Sequence, residues 1–98
     1  MPWLWPTQLQ ILSSVYTVTY DAKGMNRGGK PMWGITDSSN RTMRLAPMPN
    51  DAEKFSVLLH EMTHAIASLL VMDFPESEVN LFAQTMADTL VRNGLVVL

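Results

Sequence analysis

The chain has 98 residues and a net charge of −2, and only 16% of its residues are charged. This length supports one modest core, so we predict a single domain over residues 1–98. The charge balance provides no basic surface for nucleic acid and no polybasic patch for a membrane. The chain has no cysteine, which excludes disulfides and thiolate metal sites and is compatible with a reducing compartment. Because the first ten residues lack a positively charged region, we expect no signal peptide and a cytoplasmic protein.

The first half of the chain predicts a small antiparallel sheet of about three strands. Residues 9–20 are rich in β-branched and aromatic side chains, which predicts a strand. Residues 33–36 and 41–46 predict two shorter strands. Residues 21–31 are dense in Gly, Asn and Pro and predict a loop, and residues 37–40 predict a turn. A three-stranded meander is the simplest arrangement of these segments.

The second half predicts two helices, which makes the fold class α+β. Asn50 is a favourable N-cap, and Glu53 completes a capping-box spacing. From there to Met72, apolar side chains recur on two sides of the predicted helix. We therefore expect the sheet to cover one side and the last helix to cover the other. Pro75 suits the first turn of the last helix, and the Arg-Asn-Gly segment 92–94 suits its end.

The largely apolar segment 55–72 contains three ionisable residues and no others: His60, Glu61 and His64. Such groups are costly in a membrane span or a buried helix unless they are paired, hydrogen-bonded or bound to a metal, so we predict no membrane span. At a spacing of four, the two histidines lie on one helix face, close enough to bind one ion. With Glu61 they form H-E-x-x-H, the zinc-hydrolase pattern, in which the glutamate accepts a proton from a metal-bound water. The alternative is a pair of core histidines hydrogen-bonded to the backbone or to Glu61.

A catalytic zinc site needs a third protein ligand. The chain has no further histidine and no cysteine, so this ligand must be a carboxylate, and the nearest ones downstream are Asp73, Glu76 and Glu78. Glu76 lies about 50° from the centre of the apolar face of the last helix, and Glu78 about 110° from it. Asp73 follows the first helix too closely to turn back easily. We rank Glu76 first, Glu78 second and Asp73 third, the alternative for each being an ordinary carboxylate near a helix N-terminus.

The two predicted helices also carry a family resemblance. LLHEMTHAIASLL, followed after a short break by ESEVNLFAQTMADTLVRN, resembles the small zincin-like metallopeptidases of the ImmA/IrrE and SprT-like kinds, most of all the compact versions often carried by phages. In that family a strand-rich half leads into a helix with H-E-x-x-H, and a second helix opens with glutamate in the frame E-x-x-V/A-x-x-L/F-A. Here Glu76, Val79, Phe82 and Ala83 fit that frame, and the resemblance covers about residues 15–93.

The resemblance implies a minimal zincin-like domain that binds one Zn²⁺ through His60, His64 and Glu76 and uses Glu61 as general base. The implied activity is hydrolysis of a peptide bond in a protein or peptide substrate, in a bacterial or phage-infected host cell. The alternative is a catalytically silent, zinc-stabilised binding or regulatory module, such as a phage regulator or host-defence antagonist, that acts on a regulatory protein partner. Retention of Glu61 favours the enzyme, because a structural metal site has no use for a general base.

Two further features of the first half concern the substrate. Tyr16, Tyr20 and Arg44 can each donate a hydrogen bond to a developing negative charge. Tyrosines on strands more often pack and arginines are more often solvated, so the sequence identifies no oxyanion stabiliser. The predicted strand 41–46 can serve as the edge that an extended substrate joins by backbone pairing.

Overall fold

The computed structural model describes residues 3–21, 26–27 and 29–98. Its elements, in chain order, are β1 (Gln8–Ile11), β2 (Ser14–Tyr20), β3 (Asn26–Arg27), β4 (Lys30–Pro31), β5 (Gly34–Asp37), β6 (Thr42–Leu45), α1 (Asp51–Leu69) and α2 (Glu76–Arg92). The main sheet followed by two helices confirms the predicted α+β class. Within the described ranges, neither helix is long and apolar enough to cross a membrane.

The first predicted strand is in fact a hairpin of two strands. β1 and β2 pair antiparallel, with Gln8 opposite Thr17 and Ile11 opposite Ser14. The chain reverses over two residues, and the first of them, Leu12, has a φ of 54°. Leucine rarely adopts this left-handed conformation, and no Gly, Asn or Pro marks the turn. For this reason the sequence predicted one strand here, and the main sheet has four strands rather than about three.

The main sheet has the strand order β1-β2-β6-β5 and is mixed rather than antiparallel. β2 pairs parallel with β6, and β5 pairs antiparallel with the other side of β6. β6 is therefore central, and its Met43 and Leu45 side chains are fully buried. The prediction that segment 41–46 is an edge is wrong, because β2 and β5 occupy both of its sides. Among the described strands, the open edge at this end of the sheet belongs to β5.

A second, two-stranded sheet pairs β3 with β4 antiparallel. It falls within segment 21–31, which the sequence predicted as a loop and of which part lies outside the described residues.

Helix α1 lies between the main sheet and α2, as its two apolar sides predicted. On the sheet side, its buried Phe55 and Leu58 join a core whose largest other fully buried members are Tyr16, Met43, Leu45 and Val18. Fully burying a side chain of this size contributes roughly 1.5–3 kcal/mol. On the other side α1 contacts α2, whose buried face consists of Val79, Ala83 and Ala87. The helix that carries the histidines is therefore held between two layers.

The helix ends follow the signals in the sequence. The Asn50 side chain caps α1 by accepting a hydrogen bond from the Glu53 N–H at 3.0 Å. Pro75 immediately precedes α2 rather than standing in its first turn, so that Glu76 is the first helical residue. Gly94 lies just beyond the end of α2 with a φ of 68°, the left-handed conformation that favours glycine after a helix.

Candidate metal centre

The two histidines project from α1 toward the same point. His60 and His64 are one helical turn apart, and their Nε2 atoms are 3.1 Å from each other. Their ring centroids are separated by 4.8 Å. Both rings are partly accessible, the His60 side chain at 16% and the His64 side chain at 34%. This arrangement follows from the helix alone, because residues four apart are neighbours on one face.

Glu76 completes a group of three side chains. Its Oε1 lies 2.6 Å from the His60 Nε2, and its Oε2 lies 3.1 Å from the His64 Nε2. Glu78 and Asp73, the other two carboxylates that the sequence offered, are both exposed and do not line the cleft that contains the histidines. The structure thus brings together the first-ranked carboxylate and the two histidines, and leaves the other two carboxylates outside the cleft.

The donor set fits a small divalent cation. Two ligand atoms at zinc distances of about 2.0–2.1 Å in a tetrahedral site are about 3.3 Å apart. The His60 and His64 Nε2 atoms are 3.1 Å apart, and they lie 2.6 and 3.1 Å from the Oε1 and Oε2 atoms of Glu76 respectively. All three separations are shorter than the tetrahedral value, the shortest by about 0.7 Å, so the side chains would move slightly apart to admit an ion. Two imidazoles and a carboxylate suit zinc, and also manganese, iron or cobalt. The group opens into a cleft of about 820 Å³, so solvent and a ligand can reach it.

Glu61 lies beside this group but deeper in the protein, where it is only 5% exposed. A carboxylate oxygen of Glu61 and the ring nitrogens of the two histidines lie within 4.8 Å of one another. Burial raises the pKa of the Glu61 carboxyl above its ordinary value, and the Thr36 hydrogen bond and the nearby histidines oppose that rise. A carboxylate with a raised pKa is better suited to accept a proton near neutral pH than an exposed one.

Strand β5 supplies the surroundings of Glu61, which the sequence did not identify. The Thr36 hydroxyl donates to the Glu61 Oε1 at 2.8 Å and lies 3.2 Å from the Glu61 carbonyl oxygen. Gly34, two residues earlier on the same face, leaves the space that the Glu61 side chain fills. The only local signal is the spacing of two in Gly-Ile-Thr, which places both residues on one face of a strand.

The three donors considered for an oxyanion lie elsewhere. Tyr16 is buried in the core at 1% exposure. The Tyr20 hydroxyl donates to the Pro6 carbonyl at 2.7 Å, and the Arg44 guanidinium lies 3.9 Å from an Asp21 carboxylate oxygen. None of these three side chains lines the cleft that contains the histidines.

The open edge of β5 borders the cleft. Ala46 donates its N–H to the Trp33 carbonyl at 2.8 Å, which fixes residue 33 as a hydrogen-bonded position in the β5–β6 register. In an antiparallel pair such positions alternate, so the main-chain groups of Gly34 and Thr36 point away from β6. These two residues, together with the histidines and Trp33, line the cleft.

Comparison of the chain with models of known protein families, with curated proteins and with solved structures finds no match. The resemblance to zincin-like metallopeptidases, and the roles it implies for the four clustered residues, therefore stay predictions.

Proposed function

We propose that this chain is a zinc-dependent metallopeptidase. One observation carries the proposal: the imidazoles of His60 and His64 and the carboxylate of Glu76 converge at an open cleft, with the buried Glu61 carboxylate beside them. Three ligands with a separate carboxylate beside them match the composition of hydrolytic zinc sites, which need a general base as well as the metal.

In this proposal each residue has a defined role. His60, His64 and Glu76 would hold one Zn²⁺, which when bound acts as a Lewis acid toward water and the peptide carbonyl. Glu61 takes a proton from the attacking water as the C–O bond forms. It then returns that proton to the amine nitrogen as the C–N bond breaks, so that it ends the cycle as a carboxylate. Its burial beside the cleft excludes bulk water from the proton it carries.

The substrate in this proposal is an extended peptide segment of a protein. Gly34 and Thr36 direct main-chain N–H and C=O groups to the open edge of β5, where a peptide can add as a further strand. The prediction of substrate pairing thus moves from segment 41–46 to β5, next to the metal centre. The proposal includes a cytoplasmic location in a bacterial or phage-infected cell, with which a chain without cysteine is compatible.

The test combines metal content with hydrolysis of a degenerate peptide library. Native mass spectrometry of the untagged protein is expected to find one zinc per chain. The same zinc content is expected in Glu61→Gln, because Glu61 is not a ligand in the proposal. Cleavage of library peptides by the parent should fall by at least about 10²-fold in Glu61→Gln, the scale of a lost general base. Equal cleavage by the two proteins, or a folded parent that takes up no zinc, would contradict the proposal.

A second candidate function is a zinc-stabilised binding module without catalysis. It is favoured by large apolar side chains that stand exposed on α2 and after it: Leu81 is 68% exposed, Phe82 57% and Leu95 71%. Exposed apolar side chains mark a partner surface where they join into one contiguous patch. The same experiment separates the two candidates, because a binding module would retain one zinc and cleave no library peptide.

A further inference from the structure

Two residues of β5 meet the Glu61 side chain from the same side. Gly34 and Thr36 are two apart on a strand, so their Cα–Cβ directions point to one face. That face is turned to α1, since Thr36 donates to Glu61 and a Cβ built on Gly34 would reach Glu61 atoms. We call Gly34 and Thr36 together the β5 seat.

Gly34 contributes to the β5 seat because it has no side chain and leaves room for Glu61. A Cβ at this position would lie 2.7 Å from the Glu61 Cγ and Oε2 and 2.9 Å from its Cδ. These three nearest atoms all belong to Glu61, so the Glu61 side chain is the first neighbour that a side chain here would meet. The φ of Gly34 is not positive, so backbone conformation gives no separate reason for glycine here.

Thr36 contributes to the β5 seat by donating a hydrogen bond to Glu61. Its hydroxyl has one proton, and the shorter contact, 2.8 Å, is the one to the Glu61 Oε1. The Glu61 Oε1 is thus held by the Thr36 hydroxyl, while Oε2 occupies the space beside Gly34 that a Cβ would need. Movement of the Glu61 carboxylate away from this position breaks the hydrogen bond to Thr36.

This contact has a consequence for a metal held by the histidines. The Glu61 carboxylate is within 4.8 Å of both ring nitrogens, close enough for its charge to be drawn toward a divalent cation. A carboxylate that ligates the cation is no longer free to accept a proton. A contact that holds Glu61 back therefore separates the general base from the ligands.

We propose that Thr36 and Gly34 act as positioning residues that hold the Glu61 carboxylate beside the metal site and outside its ligand set. The contact itself is independent of the metal, whereas the effect on the ligand set rests on the proposed function. The two parts are tested by separate measurements, so that failure of one is distinguishable from failure of the other.

The contact is tested by a double-mutant cycle on the unfolding of the metal-free protein. Thr36→Val keeps the shape of the side chain, and Glu61→Met removes the carboxylate at similar length. A hydrogen bond to a charged group predicts a coupling of at least about tenfold in the unfolding equilibrium constant. Thr36→Ser, which keeps the hydroxyl, should retain most of that coupling. The control pairs Glu61→Met with Thr17→Val on an exposed strand position, where the two changes in unfolding free energy should add. If the Thr36→Val and Glu61→Met changes also add, to within about twofold in the equilibrium constant, the contact of the β5 seat with Glu61 is refuted.

The effect on the ligand set is tested with Co²⁺, whose visible absorption weakens as its coordination number rises. Thr36→Val should bind Co²⁺ with weaker absorption than the parent, because Glu61 joins the ligands. Thr36→Ser and the double variant Thr36→Val/Glu61→Gln should both show the parent spectrum. If Thr36→Val shows the same Co²⁺ spectrum as the parent, the claim that Thr36 keeps Glu61 out of the ligand set is refuted. A folded parent that binds no Co²⁺ overturns it together with the metal site, while the cycle still decides the contact.

Discussion

Alanine at position 34 is the sharpest perturbation of the Glu61 environment. The added Cβ would lie 2.7 Å from two atoms of Glu61, whereas carbon contacts are favourable at about 3.5–4.0 Å, so a shift of about 1 Å is needed. Overpacking of this kind costs about 1–3 kcal/mol. Replacing glycine also restricts the unfolded chain and returns about 0.4–1 kcal/mol. The expected net loss is roughly 1–2 kcal/mol, or a decrease in Tm of roughly 5–15 °C for a domain of this size.

The assay is thermal unfolding of the metal-free protein, with Gly34→Ala placed in two backgrounds. In the Glu61→Ala background the three clashing atoms are gone, so Gly34→Ala should there be neutral or slightly stabilising. Because the φ of Gly34 is not positive, alanine adds no backbone strain of its own in either background. An equal loss of Tm in both backgrounds would refute the conclusion that Glu61 is seated against Gly34.

Two further predictions concern the third ligand and the alkaline limit of stability. Glu76→Gln should weaken zinc affinity by at least about 100-fold, beyond the 10–100-fold typical of losing an outer partner of a ligand, in competition with a chromophoric chelator. Glu78 is an exposed neighbour on the same helix, so Glu78→Gln should leave the zinc affinity unchanged. An equal loss of affinity in the two variants would contradict the assignment of Glu76 as a ligand. Burial raises the pKa of Tyr20 to about 12. Because an unfolded tyrosine ionises at about 10, the contribution of Tyr20 to the free energy of unfolding should be constant below that pH and fall as the pH rises from about 10 to 12. Urea denaturation should show a smaller fall in Tyr20→Phe, and identical pH profiles would contradict this cause.

The sequence determined the features that depend on short-range geometry. The spacing of four between His60 and His64 brings their nitrogens together as soon as α1 forms, because the helix repeats every 3.6 residues. The Asn50 cap and the glycine after α2 are likewise local, since each depends on backbone groups within a few residues. Helix phase also ranked Glu76 above Glu78, because two antiparallel helices joined by a short connection must face each other with their apolar sides.

Only the tertiary structure decided the arrangement of the sheet and therefore the surroundings of Glu61. Thr36 and Glu61 are 25 residues apart, and their contact exists because β5 pairs with β6 at the edge of the sheet that faces α1. The parallel β2–β6 pair displaced segment 41–46 from the edge to the centre. Alternation along a strand shows which residues share a face, but it does not show which strand is its neighbour. Strand order results from long-range burial of residues such as Met43 and Leu45. This is why the clustering of His60, His64 and Glu76 was predictable from the sequence, while the contact of Glu61 with strand β5 was not.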